Sequence, residues 1–224
     1  MPPAEEILAV LRKSSNDLIL VAIIFHVLVL LFAISLFRRW RPEKRIAGIL
    51  LSIPLLSVSL IAWMYGNPFN GLVFAIFFVL LILFAVKLPR EPIDIAEKVW
   101  IVPAVLLIAF GLFYPHFLEA HPAMYLVAAP AGVIPCPTLS IVIGFTILFR
   151  HFNSKRWTVT LAAIGLFYGV FGLEKLHVNM DVILLIGSLL LLMRVFSISH
   201  RDAKPWKKQF SVSHRDTETT AKPN

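Results

Sequence analysis

Seven long apolar segments restrict the possible folds of this chain more than any other feature of its sequence. A helix needs about 20 predominantly apolar residues to cross the hydrocarbon core of a bilayer. Of the 224 residues, 58% are hydrophobic and only 15% are charged, more apolar surface than a soluble domain of this length can cover. The sequence therefore predicts an all-α integral membrane protein with seven transmembrane helices. Their predicted bounds are Leu18–Phe37, Ile46–Met64, Phe69–Val86, Val99–Phe117, His121–Phe149, Trp157–Leu173 and Val178–Val195.

The basic residues orient this architecture. Eighteen of the 21 Lys and Arg residues lie in connections 38–45, 87–98 and 150–156 or from residue 194 onward, and three lie in the alternate connections. Because Lys and Arg are retained on the cytoplasmic side during insertion, we expect the N-terminus outside and the C-terminus inside. The predicted parts are a short extracytoplasmic segment (1–17), the transmembrane domain (18–196) and a basic, partly disordered cytoplasmic tail (197–224).

The net charge of +8 raises the question of nucleic-acid binding. The basic residues sit between apolar segments and in the tail, which is typical of residues that set topology and contact lipid. The predicted partners are therefore the bilayer itself and anionic lipid headgroups, the latter through the tail, and not nucleic acid.

The fifth segment is unusual because prolines interrupt it at 122, 130, 135 and 137. An interior proline removes a backbone hydrogen bond and pushes the preceding residue out of helical geometry. We therefore expect Ile134–Thr138 to be a non-helical break, with Ile134 and Cys136 extended and Thr138 capping the helix that follows. Such backbone is tolerated in a membrane where it is buried in protein or lines a watery cavity.

This break is a candidate pathway or binding site, formed by Pro135, Cys136, Pro137 and Thr138. The alternative is a proline-kinked structural helix whose loose backbone groups are satisfied by neighbouring Ser and Thr residues. Besides Cys136, the ionisable group expected at depth is His26 in the first helix. It either forms a hydrogen bond between helices or approaches the break, and the sequence leaves both open.

A second candidate site lies on the predicted outer face. Two connections there carry imidazole and carboxylate groups, which suit zinc or copper, although their spacing matches no established zinc motif. Solvated loop ends are the alternative. The candidate metal ligands are His116, Glu119, His121, Glu174, His177 and Asp181.

The sixth helix carries two glycines four residues apart, Gly165 and Gly169. Small residues at this spacing let helices approach closely. They indicate either packing inside the bundle or the contact face of a homodimer.

Several short motifs give a family resemblance. These are Tyr114-Pro115, His121-Pro122 and Pro135-Cys136-Pro137-Thr138 followed by an apolar run with Gly144. Together they resemble an uncharacterised family of bacterial multi-spanning membrane proteins with a Pro-Cys-Pro-Thr signature, filed as a domain of unknown function. The resemblance implies a membrane fold in the bacterial inner membrane and implies no activity.

Three functional hypotheses follow. The first is a small permease or channel-like protein whose pathway runs along the helix-five break, which predicts water-exposed Thr138 and Ser140. The second is a non-transporting membrane subunit or sensor that binds a partner or metal through the outer His and Glu residues, which predicts a dry helix core. The third is an intramembrane enzyme with Cys136 as nucleophile. The sequence favours a protein that is not an enzyme, assigns no catalytic residue and leaves the cofactor unknown.

Overall fold

The computed structural model describes residues 3–37, 41–150, 152 and 154–202, with side chains as far as Val195. Across these residues the regular elements are helices and no strand is present, which confirms the all-α prediction. Two 3₁₀ turns, Pro122–Met124 and Asn179–Asp181, accompany the α-helices. The helices are α1 (Ala4–Asp17), α2 (Ile19–Phe37), α3 (Lys44–Met64), α4 (Pro68–Ala85), α5 (Lys98–Phe113), α6 (Tyr125–Ala128), α7 (Pro135–Leu148), α8 (Lys155–Glu174) and α9 (Val182–Asp202).

Within the residues that the structure describes, four helices, α2, α3, α4 and α8, are long and apolar enough to cross a membrane. Helices α5 and α7 are apolar but shorter, with 16 and 14 residues. The outward faces of the long helices expose large apolar side chains such as Leu20, Leu31, Leu72 and Val170. Exposed apolar surface on this scale marks contact with another apolar phase, here the lipid, and indicates an integral membrane protein.

Helix α7 is the centre of the bundle, because 13 of its 14 residues are buried. It packs against α3, α5, α8 and α9. Contact with α5 is close at two glycines: a side chain at Gly111 would overlap Ile141, and one at Gly144 would overlap Ile108. A helix that is buried on all sides and carries apolar residues all round is a core helix, shielded from lipid by its neighbours.

Three of the basic connections lie together at one end of the bundle, called here the basic end. The chain around residues 41–44 pairs with 91–93, and the chain around 94–96 pairs with 148–150. The bonds include Lys44 N to Glu91 O at 2.9 Å and Ala96 N to Leu148 O at 2.8 Å. The opposite end carries the C-terminal ends of α3, α5 and α8 and the N-terminal end of α7, and we call it the cavity end.

The fifth apolar segment is divided differently from the prediction. Helix α7 begins at Pro135, so the predicted break over Ile134–Thr138 is wrong; the non-helical stretch is 129–134. Ile134 is extended as expected, with φ −120° and ψ 159°, whereas Cys136 is helical. The reason is that N–H groups in the first helical turn have no partner in the helix, so proline there removes no bond.

Thr138 does not cap this helix as predicted, because the N-cap residue is Ile134. The Thr138 hydroxyl accepts a hydrogen bond from Gly132 N at 2.8 Å and donates one to Ile134 O at 2.7 Å. Gly132 has φ +74°, and the ring of Phe25 occupies the space that a side chain at Gly132 would need. Thr138 therefore fastens the 129–134 stretch onto the start of α7.

Both chain ends carry helix outside the seven predicted spans. Residues 1–17 contain a helix, α1, whose apolar residues include Ile7, Val10 and Leu11. At the other end, α9 continues to Asp202, beyond the predicted end at Val195. The rest of the predicted tail, 203–224, lies outside the described residues.

Candidate functional site

A cavity of about 400 Å³ lies at the cavity end of the bundle. Its walls come from α1, the connection between α3 and α4, the start of α7, the end of α8 and the turn before α9. Most lining side chains are apolar, among them Leu11, Phe69, Phe117 and Phe171. The polar lining side chains are Glu6, Asn67, Asn70, Cys136, Tyr168 and Asp181.

Cys136 and Asp181 at the inner wall form a hydrogen-bonded group with the buried Tyr114 behind them, called here the Asp181 cluster. The Tyr114 hydroxyl donates to Asp181 Oδ1 at 2.9 Å, and the Cys136 thiol donates to Asp181 Oδ2 at 3.2 Å. Tyr114 follows α5, Cys136 is in the first turn of α7, and Asp181 ends the 3₁₀ turn before α9. The cluster therefore joins three parts of the chain that are distant in sequence.

The position of Asp181 depends on the end of α8. A side chain at Gly172 would overlap the Asp181 carboxylate, so only glycine lets the carboxylate lie against the helix backbone. The connection from α8 to α9 reverses direction through a hydrogen bond from Val178 N to Gly172 O at 2.9 Å. His177 contributes to this turn with a left-handed backbone conformation, φ +53°. These features bring Asp181 over α8 and toward the start of α7.

The charge of Asp181 is only partly balanced. The residue is 1% exposed, and within the described part of the chain no Lys, Arg or His nitrogen lies within 4.0 Å of its carboxylate. Burying a carboxylate without a counter-charge is costly, and neutral hydrogen-bond donors offset only part of that cost. The N-terminus of α7 favours an anion, but Pro135 and Pro137 supply no N–H groups there.

A second polar pair lies in the cavity wall. The Tyr168 hydroxyl donates to Asn70 Oδ1 at 2.7 Å. Asn70 is 7% exposed, and its amide nitrogen has no hydrogen-bond partner among the described residues. Every fully buried side-chain nitrogen or oxygen of the described residues has a hydrogen-bond partner. The Asn70 amide nitrogen has none, so it must retain some solvent-accessible surface. Asn70 thus offers the cavity an unused hydrogen-bonding group.

Helix α1 covers the cavity with its apolar face. Residues Ile7, Val10 and Leu11 line the cavity, at the i, i+3, i+4 spacing of one helical face. Asn16 fastens the end of α1: its Nδ2 donates to Phe117 O at 2.9 Å, and its Oδ1 accepts from Glu119 N at 2.8 Å. This role of α1 was missed in the sequence, although the apolar spacing in residues 7–11 was its signal.

The predicted pathway residues are divided between the cavity and the packed interior. Pro135 and Cys136 line the cavity, whereas Pro137 and Thr138 are buried and do not. His26 lies away from the cavity, with Nδ1 2.9 Å from Ala22 O and Nε2 2.8 Å from Leu112 O. His26 therefore links α2 to α5.

The predicted metal ligands are not brought together. No group of three His, Cys, Asp or Glu residues in the described ranges is placed to hold a metal ion. The His116 ring packs edge-on against Phe117, with centroids 4.2 Å apart. Glu119 pairs with Arg12 at 3.6 Å, and Asp181 points inward to its cluster. His121 accepts from Ala123 N, while Glu174 and His177 are exposed.

Burial and the nearby Arg12 guanidinium lower the pKa of His116 below its usual value of 6.5. His116 is half-buried in the turn after α5, outside the helices. The neutral ring is therefore favoured while α1 stays in place beside it.

The two glycines of α8 contact α9 of the same chain. A side chain at Gly165 would overlap Ser188, and one at Gly169 would contact the backbone of Leu185. Both glycines are buried, so the close approach they allow is used within this bundle. A homodimer through Gly165 and Gly169 remains a prediction.

Tyr114 was not recognised as part of the site, and Asp181 was grouped with the outer-face residues. The signal for Asp181 was its position inside the seventh apolar segment, since carboxylates within such segments are rare and usually have a role. Comparison with protein-family models, curated proteins and solved structures found no match for this chain.

Proposed function

We propose that this chain is an integral membrane protein that binds a small molecule in the cavity and does not transport it. The observation that carries the proposal is the combination of a cavity containing a buried carboxylate with a densely packed helix directly beneath it. The cavity volume falls within the roughly 300–1,000 Å³ typical of small-molecule sites. A mostly apolar lining with a few polar groups is also typical of such sites.

The interior below the cavity supports a non-transporting role. The hydroxyls of Thr138, Ser140 and Thr146 are buried and donate to backbone carbonyls, Ser140 to Leu107 O at 2.9 Å. A pathway along α7 needs such groups in contact with water, as the permease hypothesis expects. A dry core is what the hypothesis of a membrane subunit or sensor expects, with the ligand bound in the cavity instead of at the outer His and Glu residues.

We further infer that seven helices, α2, α3, α4, α5, α7, α8 and α9, cross the membrane with the cavity end outside. The distribution of Lys and Arg supports this orientation, because the basic connections meet at the opposite end. Helix α7, with 14 residues, is shorter than the hydrocarbon core requires of a helix in contact with lipid. It can still cross the membrane because the neighbouring helices shield it from lipid. The Pro-Cys-Pro-Thr resemblance supports a place in the bacterial inner membrane.

A small permease is the second candidate function. It is favoured by the position of the cavity beside the non-helical stretch 129–134, because broken helices form the substrate sites of many transporters. In this reading the structure is a state closed toward the basic end. Thr138 and Ser140 would then contact water only after a rearrangement of α7.

Labelling with a membrane-impermeant maleimide tests both candidates. The native Cys136 is compared with Ser140→Cys in a Cys136→Ser background, in intact cells and in inside-out vesicles. Lys175→Cys and Lys155→Cys in the same background mark the cavity end and the basic end, since both lysines are exposed. We expect Cys136 to react only from the outside, more slowly than Lys175→Cys, and Ser140→Cys to react from neither side.

Two other outcomes would change the conclusion. Reaction of Ser140→Cys in inside-out vesicles would favour the permease. A Cys136 that reacts only after denaturation would contradict the binding proposal, because no molecule of useful size would then reach the cavity from water.

A further inference from the structure

We propose that the molecule bound in the cavity is a small organic cation, an amine or quaternary ammonium with an apolar body, whose charged group lies against Asp181. This inference rests on the proposed binding function and adds the chemical class of the ligand to it.

The charges in the cavity wall carry the first part of the argument. Two lining side chains are acidic, Glu6 and Asp181, and within the described part of the chain no Lys, Arg or His lines the cavity. The whole chain, by contrast, carries a net charge of +8. The cavity is therefore an acidic site in a basic protein, and charge complementarity of this kind selects the sign of a ligand.

The geometry of Asp181 carries the second part. Its two oxygens each accept one hydrogen bond from a neutral donor, and a carboxylate oxygen can accept a further one. A cationic group at the inner wall would supply the counter-charge that the described residues do not. Because the carboxylate is already removed from water, the added attraction is stronger than at an exposed site.

The shape and lining of the cavity exclude a bare metal ion and favour a larger cation. A volume of about 400 Å³ is far more than one ion needs, and most of the wall is apolar. The aromatic rings of Phe69, Phe117, Tyr168 and Phe171 contribute to that wall. Aromatic rings attract organic ammonium groups through their faces and pack against apolar bodies.

Asn70 gives the ligand a second polar contact. It is more than nine-tenths buried, lines the cavity and has an amide nitrogen without a partner among the described residues. A hydroxyl or other acceptor on the body of the cation would bond to this amide. The expected ligand therefore combines a positive charge, an apolar body and one hydrogen-bond acceptor.

The test uses three probes of similar size that differ in charge: 2-phenylethylammonium, neutral 2-phenylethanol and anionic 3-phenylpropanoate. The purified full chain in nanodiscs is treated with N-ethylmaleimide, and the rate of Cys136 modification is measured with and without each probe. Cys136 reports occupancy because it lines the cavity and contacts Asp181. We expect the cation to protect Cys136 at about one-tenth of the concentration that the neutral probe requires, and the anion not to protect it.

Variants assign the preference to Asp181. Asp181→Asn keeps the size of the side chain and is expected to remove the difference between the cation and the neutral probe. Glu6→Gln, at the exposed rim, is expected to reduce the difference by less. Glu174→Gln is the matched control: it is exposed at the same end and does not line the cavity, so the preference should be unchanged.

The outcomes separate this inference from the binding proposal. Equal protection by the cation and the neutral probe, unaffected by Asp181→Asn and Glu6→Gln, would overturn the cationic class and leave the binding function standing. A Cys136 that is unreactive until denaturation would instead contradict the binding function. Nanodiscs with and without phosphatidylethanolamine identify the source of the cation: protection without an added probe would assign it to a lipid headgroup.

Discussion

A buried charged side chain from another element lies at each end of helix α7, and the two have different contacts. At the C-terminal end, the Arg194 guanidinium donates to the carbonyls of Ile147, Phe149 and Arg150, the last two at 2.7 and 3.3 Å. It also lies over the Trp100 ring, 5.4 Å from the centroid. At the N-terminal end, the Asp181 carboxylate contacts two side chains and the cavity.

Both charges have the sign that the helix dipole favours, a cation at the C-terminus and an anion at the N-terminus. They differ in what surrounds them. Arg194 binds backbone carbonyls directly, whereas Asp181 is held by the side chains of Tyr114 and Cys136 and borders the cavity. The basic end of α7 is therefore closed by direct contacts that favour stability, whereas the cavity end leaves a carboxylate beside the cavity, as the proposed binding function requires.

The largest effect should come from Arg194→Ala at the basic end. Its removal leaves carbonyls at the end of α7 buried without their donor, and we expect a loss of about 3 kcal/mol or more in the free energy of unfolding. Thermal or denaturant unfolding of the purified chain in detergent measures it. Arg156→Ala is the control, since that side chain is exposed near the same end. Equal effects of the two variants would contradict the structural role of Arg194.

The next largest effect should come from Thr138→Val at the cavity end. It leaves the buried Gly132 N–H without its acceptor, at an expected cost of about 1–2 kcal/mol. Ser35→Ala is the control, because that hydroxyl bonds only to a carbonyl of its own helix, Phe32 O. The same unfolding measurement applies. A loss as large as that of Arg194→Ala would show that the two ends of α7 do not differ in stability as proposed.

The sequence predicts the long helices well because apolar length is a local property. The helix predicted at Ile46–Met64 is observed at Lys44–Met64, and the helix predicted at Phe69–Val86 is observed at Pro68–Ala85. The break before α7 was misplaced because a proline is compatible with either the interior of a broken helix or its first turn. Which of the two applies depends on contacts such as the one between Thr138 and Gly132, which the sequence does not show.

The residues of the candidate site were predicted only in part, because their contacts also join segments that are distant in sequence. Cys136 was identified from its place between two prolines, and Asp181 from its position near other polar residues. Their hydrogen bond, and the one from Tyr114, require α5, α7 and the turn before α9 to meet. Long-range packing of this kind has no local signal in one sequence. Helix α1 was not predicted to cover the cavity because the surface it packs against is formed by residues distant in sequence.

A smaller effect is expected when the fastening of α1 is weakened. Asn16→Ala removes the bonds to Phe117 O and from Glu119 N, and should cost no more than about 1 kcal/mol in stability. It should nevertheless raise the rate of Cys136 modification severalfold, because α1 uncovers the cavity more often. Asn179→Ala, an exposed asparagine at the same end, is the control. An unchanged rate would mean that α1 does not limit access to the cavity.

The smallest effect concerns pH and the same helix. Burial and Arg12 hold the pKa of His116 below 6.5 while α1 is in place, and displacement of α1 would return the pKa toward 6.5. The displaced state therefore binds a proton more readily, so the closed state is fully favoured above pH 6.5 and loses that advantage as pH falls below it. We expect faster modification of Cys136 at pH 5.5 than at pH 7.5, relative to Lys175→Cys in a Cys136→Ser background.

That ratio corrects for the lower reactivity of all thiols at low pH. His116→Asn keeps a polar side chain that does not titrate in this range, and its ratio should depend on pH less than that of the native chain. A native chain whose ratio changes with pH as much as that of His116→Asn would show that the cavity end opens independently of His116. Access to the cavity would then be limited by the Asn16 contacts and the apolar face of α1 alone.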